Sequence, residues 1–338
     1  MTTRVGKKRK TTIYDVAAAV DASVSTVSLV LNGDWSRYRI KEETSERILK
    51  TARELGYEVN LRARGLRLSK SGLAGMILPH YRNRFFADLA ETFEVGARKR
   101  DLCPIVVSTQ RDAEVEPKVV GTLLAQHVEF LFIAGVANPA TLNRMCEDAS
   151  VPCVNVDLPG NGAPSVVSDN RAGAFIVTQK LIEKARASGG SVDDMLFLGG
   201  VAGEYATDNR VAGFVDAIRQ AGAEPNKDMV SCCGYRPENS CEAFRDDVAR
   251  RGRLPSGLFI SSITTFEGVV RYSVSTGSAL DCAVGCFDWD PFAADLPFTV
   301  AMLRQDAETM MELAFGSLDP DRQQARDILM VPPILERA

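Results

Sequence analysis

Within the first sixty residues, apolar side chains recur at helical spacing in three short segments. Asp21–Ala22 interrupts the pattern after the first segment, Ser23 is suited to cap the second helix, and Gly56 ends the third. The pattern predicts three helices, the third over about 42–55, with these inward-facing residues: Ile13, Val16, Ala17 and Val20; Val27, Val30 and Leu31; Ile48, Ala52 and Leu55.

From Leu73 onward the pattern changes to short apolar runs separated by amphipathic stretches. Helices are expected between the runs, for example over 85–100 and 208–222. This alternation is typical of parallel sheets covered on both faces, so the predicted fold class is α/β: an all-α head followed by a body of two Rossmann-like lobes. The runs predicted as strands are 73–79, 103–109, 130–136, 153–158, 194–200, 257–261 and 282–287.

Charge is distributed unevenly between these regions. Residues 1–70 contain 15 Lys and Arg against 8 Asp and Glu, whereas the remainder contains 25 against 36. A basic head on an acidic body suggests a nucleic-acid partner. No apolar run approaches the roughly 18 residues of a membrane span, and the first residues lack the apolar core of a signal peptide, so we expect a cytoplasmic protein without membrane contact.

The cysteine and histidine content argues against a metal centre. The 338 residues include eight cysteines and two histidines, with no CxxC pair. Such a set gives neither a disulfide framework nor a zinc site, and we expect no cofactor.

The first two predicted helices have the arrangement that places a second helix in the major groove of DNA. The same pattern also fits a plain three-helix scaffold. The residue types favour DNA binding, because the second helix offers short side chains at Val24, Ser25, Ser28 and Leu29 for close approach to bases and phosphates.

The head resembles the DNA-binding head of the lactose/galactose repressor (LacI/GalR) family of bacterial transcription regulators. The resemblance rests on TIYDVA (12–17), VSTVS (24–28), NG (32–33) and LGY (55–57), and it continues to Leu66. The longer connection GDWSRYRIKEE (33–43) is similar to the fructose-repressor-like branch. Asp21 replaces the usual turn glycine, and Leu29 replaces an arginine that often reads a base.

The resemblance implies three parts: a helix-turn-helix head (1–59), a hinge helix (60–71) and an effector-binding, dimerising body (72–338). In the hinge, Leu66 would enter the minor groove while Arg62 contacts phosphates, although a basic linker of helical tendency would look similar. In the head, the implied DNA contacts are base reading by Val24 and Ser25 and backbone contact or support by Tyr14, Ser23, Thr26, Ser28 and Asn32.

Ligands of open parallel sheets bind at the carboxyl ends of the strands, which directs attention to the residues that follow each run. Those candidates are 79–84, Asp157, Asp169, 208–210, 262–264 and 288–290. The resemblance extends over 73 to about 330, where the body is similar to periplasmic sugar-binding proteins. It implies that Arg210 holds sugar hydroxyls or an acidic group and that Asp288, Asp157 and Gln305 also bind the effector.

Two features suggest an anionic or phosphorylated sugar rather than a neutral one. Ser262 stands where many relatives have Asn-Asp, and Arg82 and Arg84 follow the first body strand with guanidinium groups suited to phosphate. Asp169 could instead cap a helix, and Arg210 could be structural.

These observations predict a DNA-binding transcription regulator, a repressor controlled by a small effector and acting as a homodimer on a pseudo-palindromic operator. The body alone would also fit an enzyme or a solute-binding protein. The glycines at 199–203 lack the GxGxxG order of a dinucleotide site, and the basic head argues against a solute carrier.

Overall fold

The computed structural model describes residues 11–57, 71–319 and 327–337, and the chain divides into two compact units between Ser71 and Gly72. The hinge residues Arg62 and Leu66 lie outside the described residues. Among the described helices, none alone is long and apolar enough to cross a membrane. The first two reach that threshold only as a pair, with a 107° bend between them.

The head consists of three helices around a small apolar core. They are α1 (Ile13–Ala19), α2 (Val24–Leu31) and α3 (Glu42–Glu54). Val16, Val27 and Ile48, one from each helix, are fully buried. Leu55 was predicted to face inward, and this is wrong: it follows the last turn of α3 and is 41% exposed.

Local polar contacts fix where the head helices begin and turn. Thr12 and Asp15 form a reciprocal capping box on α1, and the Ser23 hydroxyl accepts from the Thr26 amide at 3.1 Å to cap α2. Asp21, in the turn, has a φ of 47°. Aspartate tolerates this left-handed backbone better than most residues, so the departure from glycine is compatible with the turn.

The first lobe of the body is built on a six-stranded, fully parallel sheet. Its spatial order is β11-β5-β4-β3-β1-β2, and Phe93, Phe132 and Phe315 lie in the core beside it. The strands are β1 (Leu73–Leu78), β2 (Cys103–Ser108), β3 (Leu131–Ala134), β4 (Cys153–Val156), β5 (Ser165–Ser168) and β11 (Ile328–Val331); the helices are α4 (Arg84–Arg98), α5 (Val115–Ala125), α6 (Pro139–Asp148) and α12 (Ala307–Gly316).

The second lobe repeats this plan, with strand order β12-β10-β9-β8-β6-β7 and only β12 antiparallel to its neighbour. Phe197, Phe214 and Phe259 pack together in its core. The strands are β6 (Met195–Leu198), β7 (Val230–Ser231), β8 (Gly257–Ile260), β9 (Ala283–Cys286), β10 (Thr299–Arg304) and β12 (Ile334–Arg337); the helices are α7 (Asn170–Ala187), α8 (Tyr205–Gln220), α9 (Pro237–Arg251), α10 (Ile263–Thr276) and α11 (Pro291–Ala294).

The chain passes between the lobes three times. It leaves the first lobe after β5, returns after β10, and leaves again between β11 and β12. All seven predicted strands are present, while five strands were missed: β5, β7, β10, β11 and β12. Each of the missed strands has two to six residues, and several have polar ends that weaken the apolar signal.

Gly213 allows helices α7 and α8 to pack closely. A Cβ atom at Gly213 would lie 2.1 Å from the Arg171 carbonyl oxygen of α7, whereas one at Gly121 in α5 would find its nearest neighbour, Met145 Cε, at 3.9 Å. Gly213→Ala should therefore destabilise the body by roughly 1–3 kcal/mol through overpacking. The matched control Gly121→Ala should stabilise it by roughly 0.5–1 kcal/mol through helix propensity. Denaturant unfolding of both variants would measure this, and equal effects would contradict it.

Candidate functional site

The residues implied to contact DNA lie on α2 and at its two caps, Ser23 and Asn32, together with Tyr14 on α1. Ser23 and Ser25 are exposed, and Tyr14 on α1 is 70% exposed. Val24 is half-buried because it also packs on the head core. Thr26, Ser28, Leu29 and Asn32 are partly exposed. Within the first turn of α2, from Val24 to Val27, Ser25 is the exposed side chain.

Two pairs of these polar side chains also support the helix. The Thr26 hydroxyl lies 2.8 Å from that of Ser23, and the Asn32 amide donates to Ser28 Oγ at 3.4 Å. Internal contacts of this kind orient the polar groups before any partner binds. A surface of short, oriented side chains is suited to reading base edges and phosphates.

In the body, the carboxyl ends of both sheets meet at a narrow, partly open cleft. Five of the effector-binding residues expected from sequence line it. Charged, polar and aromatic side chains together form its wall, which is typical of small-molecule sites. The lining consists of His80, Asn83, Phe85, Phe86, Arg111, Asp157, Ala206, Arg210, Tyr235, Ser262, Thr264, Asp288 and Gln305.

Arg210, on α8, is buried and firmly held in this cleft. Its Nε donates to Asn170 Oδ1 at 2.8 Å, its Nη1 donates to the Ser261 carbonyl at 2.6 Å, and its guanidinium lies 3.9 Å from the centre of the Phe287 ring. Nη2 has no comparable acceptor among the described residues. Arg210 is therefore both a structural residue and an oriented donor facing the cleft.

Asp288, two residues after the end of β9, joins the two lobes through its buried carboxylate. Asn83 of the first lobe donates to its Oδ2 at 2.8 Å, as does the Ile263 amide at 3.0 Å, and Gln305 donates to Oδ1 at 2.9 Å. Burial raises the pKa of Asp288, although Arg210 and these donors oppose that rise. A ligand hydroxyl that uses Asp288 would join this existing network.

Asp157, directly after β4, is a buried acid held in an unusual backbone conformation. Its φ is 74°, and its carboxylate lies 4.0 Å from the Arg111 guanidinium. Burial raises the pKa of Asp157 to about 6, against the charges of Arg111 and Arg210, which lower it. A strained, poorly solvated carboxylate in a cleft is characteristic of a ligand-binding group.

A second cluster at the cleft, formed by Arg111, Glu204 and Tyr235, was not predicted from sequence. Arg111 Nη1 lies 2.5 Å from Glu204 Oε1, and the guanidinium lies 4.5 Å from the Tyr235 ring centre. Arg111 could have been found, because it follows β2 by three residues and so obeys the strand-end rule. Tyr235 follows a two-residue strand that has no sequence signature.

His80 also contributes to the cleft wall. Its Nδ1 atom is buried and has no hydrogen-bond partner among the residues described. Burial and the neighbouring Arg111 charge lower the pKa of His80, which favours the neutral ring. A neutral imidazole with an unused polar atom can bond a ligand hydroxyl.

Three other sequence candidates do not line this cleft. Arg82 is exposed, and Arg84 lies 3.4 Å from Asp290 with its guanidinium 5.7 Å from the Trp289 ring centre. Asp169 caps α7 by accepting from the Ala172 amide at 3.0 Å, which is the alternative noted from sequence. Ser262 does line the cleft, but its hydroxyl also caps α10 by accepting from Thr265.

Comparison with known proteins assigns a family to both compact units, the head and the body. Residues 12–60 match the model described as bacterial regulatory proteins of the lacI family, and residues 71–243 match that of periplasmic binding proteins and the sugar-binding domain of the LacI family. The ribitol operon repressor of Klebsiella aerogenes is 41% identical over 261 residues, 77% of this chain and 97% of the relative.

Two further comparisons, one of sequence and one of fold, agree with this family assignment. The sucrose operon repressor of Klebsiella pneumoniae is 31% identical over 267 residues, 79% of this chain and 78% of that protein. The solved structure of the lac repressor dimer bound to operator and the anti-inducer ONPF superimposes with a TM-score of 0.77, at 18% identity, covering 97% of this chain and 98% of that one.

The burial of Asp157 predicts a conflict between binding and stability. Its folded pKa of about 6 exceeds the ordinary value of 3.8, so its ionised form destabilises the fold above pH 6, and this cost disappears below about pH 4. Asp157→Asn should thus stabilise the ligand-free protein by up to about 3 kcal/mol at pH 7.5 and by less at pH 5. Asparagine also tolerates the positive φ.

The measurement is denaturant unfolding at both pH values. Asp101→Asn is the matched control, because Asp101 has a similar φ of 58° but is exposed. A stabilisation that did not change with pH, or that equalled the control, would count against the assigned charge state.

Proposed function

This chain belongs to the LacI family of bacterial regulatory proteins, and we propose that it is a repressor whose effector is a neutral polyol. Like the operon repressors that it matches over most of its length, it is a DNA-binding transcription regulator and not an enzyme. The cleft in the body is the proposed effector site, and α2 is the proposed recognition helix.

The distribution of charge in the cleft supports a neutral ligand. Arg111 and Arg210 supply the positive charges, while Asp157, Glu204 and Asp288 supply the negative ones. Acids therefore outnumber bases, which disfavours an anion. Hydroxyl groups both donate and accept, so a polyol could bond carboxylates, Arg210 and the His80 imidazole together.

The phosphorylated sugar expected from Arg82 and Arg84 is the alternative. Neither guanidinium lines the cleft, and Arg111 is paired with Glu204. The relative with 41% identity is a ribitol operon repressor, and ribitol is a neutral pentitol. We therefore take ribitol, or a polyol of similar size, as the effector to test first.

DNA binding is proposed to involve a homodimer in the cytoplasm, where an operator is accessible. The solved lac repressor relative is a dimer on operator DNA. A two-fold protein reads a two-fold site, so each head would contact one half of a pseudo-palindrome. Leu66 and Arg62, outside the described residues, remain proposed minor-groove and phosphate contacts.

Ser25→Ala should weaken specific operator binding by roughly 1–3 kcal/mol, because the exposed hydroxyl is lost from the proposed base-reading position. The operator would be selected from a random duplex library and the affinity measured at fixed salt. Ser188→Ala, an exposed serine of the body, serves as the matched control. Unchanged preference in Ser25→Ala, or selection of a single asymmetric half-site, would contradict the proposal.

Arg210→Lys should weaken ribitol binding by about tenfold or more, because the charge is kept but the oriented fork of donors is lost. Titration calorimetry would measure ribitol affinity, with Arg82→Lys as the control outside the cleft. Operator binding without ribitol should persist. Unchanged ribitol affinity would exclude Arg210 from the site, whereas lost operator binding without ligand would assign it a structural role alone.

A further inference from the structure

The Arg111 cluster contains a feature that the proposed function does not explain. Arg111 is a mostly buried guanidinium at the cleft, and such a group ordinarily makes a strong phosphate-binding site. Here its charge is already paired, 2.5 Å from Glu204. Asp157, at 4.0 Å, adds a second negative charge on the same guanidinium.

Glu204 is held in place by contacts of its own. Its Oε2 accepts from the Thr207 hydroxyl at 3.3 Å and from the Tyr235 hydroxyl, while Oε1 faces Arg111. The acid comes from the start of α8 in the second lobe, whereas Arg111 follows β2 in the first. The carboxylate is therefore fixed against the guanidinium from the opposite side of the cleft.

We infer that Glu204 is a specificity-determining residue: by occupying Arg111, it makes the cleft reject the phosphate monoester of the polyol that it binds. This inference rests on the proposed neutral effector. Discrimination of this kind needs an unfavourable element against the wrong ligand as well as contacts to the right one. A phosphate that approached Arg111 would meet the carboxylates of Glu204 and Asp157, and like charges brought together in a cleft are strongly disfavoured.

A regulator of polyol use must distinguish the free polyol from the phosphate ester that is made from it. Phosphorylation by a kinase-type reaction changes a neutral polyol into a dianion of nearly the same carbon skeleton. The hydroxyl contacts alone would hardly separate the two. A paired Arg111 separates them by charge, so that the unmodified polyol is the signal.

The test is Glu204→Gln, which keeps the shape of the side chain and an acceptor for Tyr235 but removes the charge. Calorimetry at pH 7.5 would compare ribitol with ribitol 5-phosphate as the two probes. Wild type should favour ribitol. In Glu204→Gln the ratio of the two affinities should shift by about tenfold or more toward the phosphate ester, as expected when one like charge is removed from a close pair.

Controls separate this effect from a general disturbance. Glu183→Gln, at an exposed glutamate on α7, should leave the ratio unchanged. Adding Arg111→Ala to Glu204→Gln should abolish the gain, because the cation is then absent. Operator binding without ligand reports folding, and Glu204→Ala provides a second variant if the glutamine variant is unstable.

The outcomes distinguish this inference from the proposed effector. An unchanged ratio in both Glu204 variants, or a wild type that binds ribitol 5-phosphate as tightly as ribitol, would overturn the inference. If wild type binds neither probe, the proposed effector is wrong. Inorganic phosphate then decides the inference: tighter binding to Glu204→Gln than to wild type supports it, and equal binding overturns it.

Discussion

The cost of burying charge between two lobes is the constraint on which the body depends. A buried ion is strongly destabilising unless it has a partner and hydrogen bonds. The cleft meets this requirement with contacts that cross it, so that the charges stabilise each other only when both lobes are in place. Asn83 with Asp288 and Arg111 with Glu204 are two such contacts.

Because these contacts span the lobes, the arrangement of the lobes and the state of the cleft are coupled. Gln305 illustrates this. It lies where the chain returns from β10 to the first lobe, donates to Asp288, and accepts from Ser168 at 2.7 Å, where the chain leaves β5. A ligand that changes the bonding of Asp288 therefore acts on two of the three connections. A coupling of about 1–3 kcal/mol between effector and operator sites is ordinary for such a device, and it must be reciprocal.

The sequence was sufficient for what depends on local pattern. The head helices, the Ser23 cap, the tolerance of Asp21 for its turn and the seven predicted strands all follow from spacing and residue type. The strand-end rule also found Asp157, Ser262 and Asp288. The rule also covers Arg111, but it does not predict the pairing with Glu204, because the two residues are 93 positions apart and nothing near either one identifies its partner.

The expectation that Arg82 and Arg84 lie at the effector site also rested on local spacing alone. Arg84 obeys the strand-end rule as well as any residue, yet it contacts Asp290, 206 positions away, and does not line the cleft. The sequence left open whether Asp169 caps a helix or binds the effector, because both roles use the same carboxylate oxygen atoms. Spacing reduces the number of candidate residues, but contacts between residues distant in sequence determine which of these side chains line the cleft.

The backbone around the cleft shows why such pairing needs rigid support. Gln110, Arg111 and Asp157 all have positive φ values, between 55° and 74°, at the carboxyl ends of β2 and β4. Residues other than glycine adopt this conformation at a cost, and it persists only where surrounding contacts impose it. Here the strained positions carry the cation and one of the acids of the site. The polyol proposed as effector would offer few atoms for recognition, so its affinity would depend on groups that are already oriented before it binds. The strain is thus consistent with a site whose geometry is fixed by the fold rather than formed by the ligand.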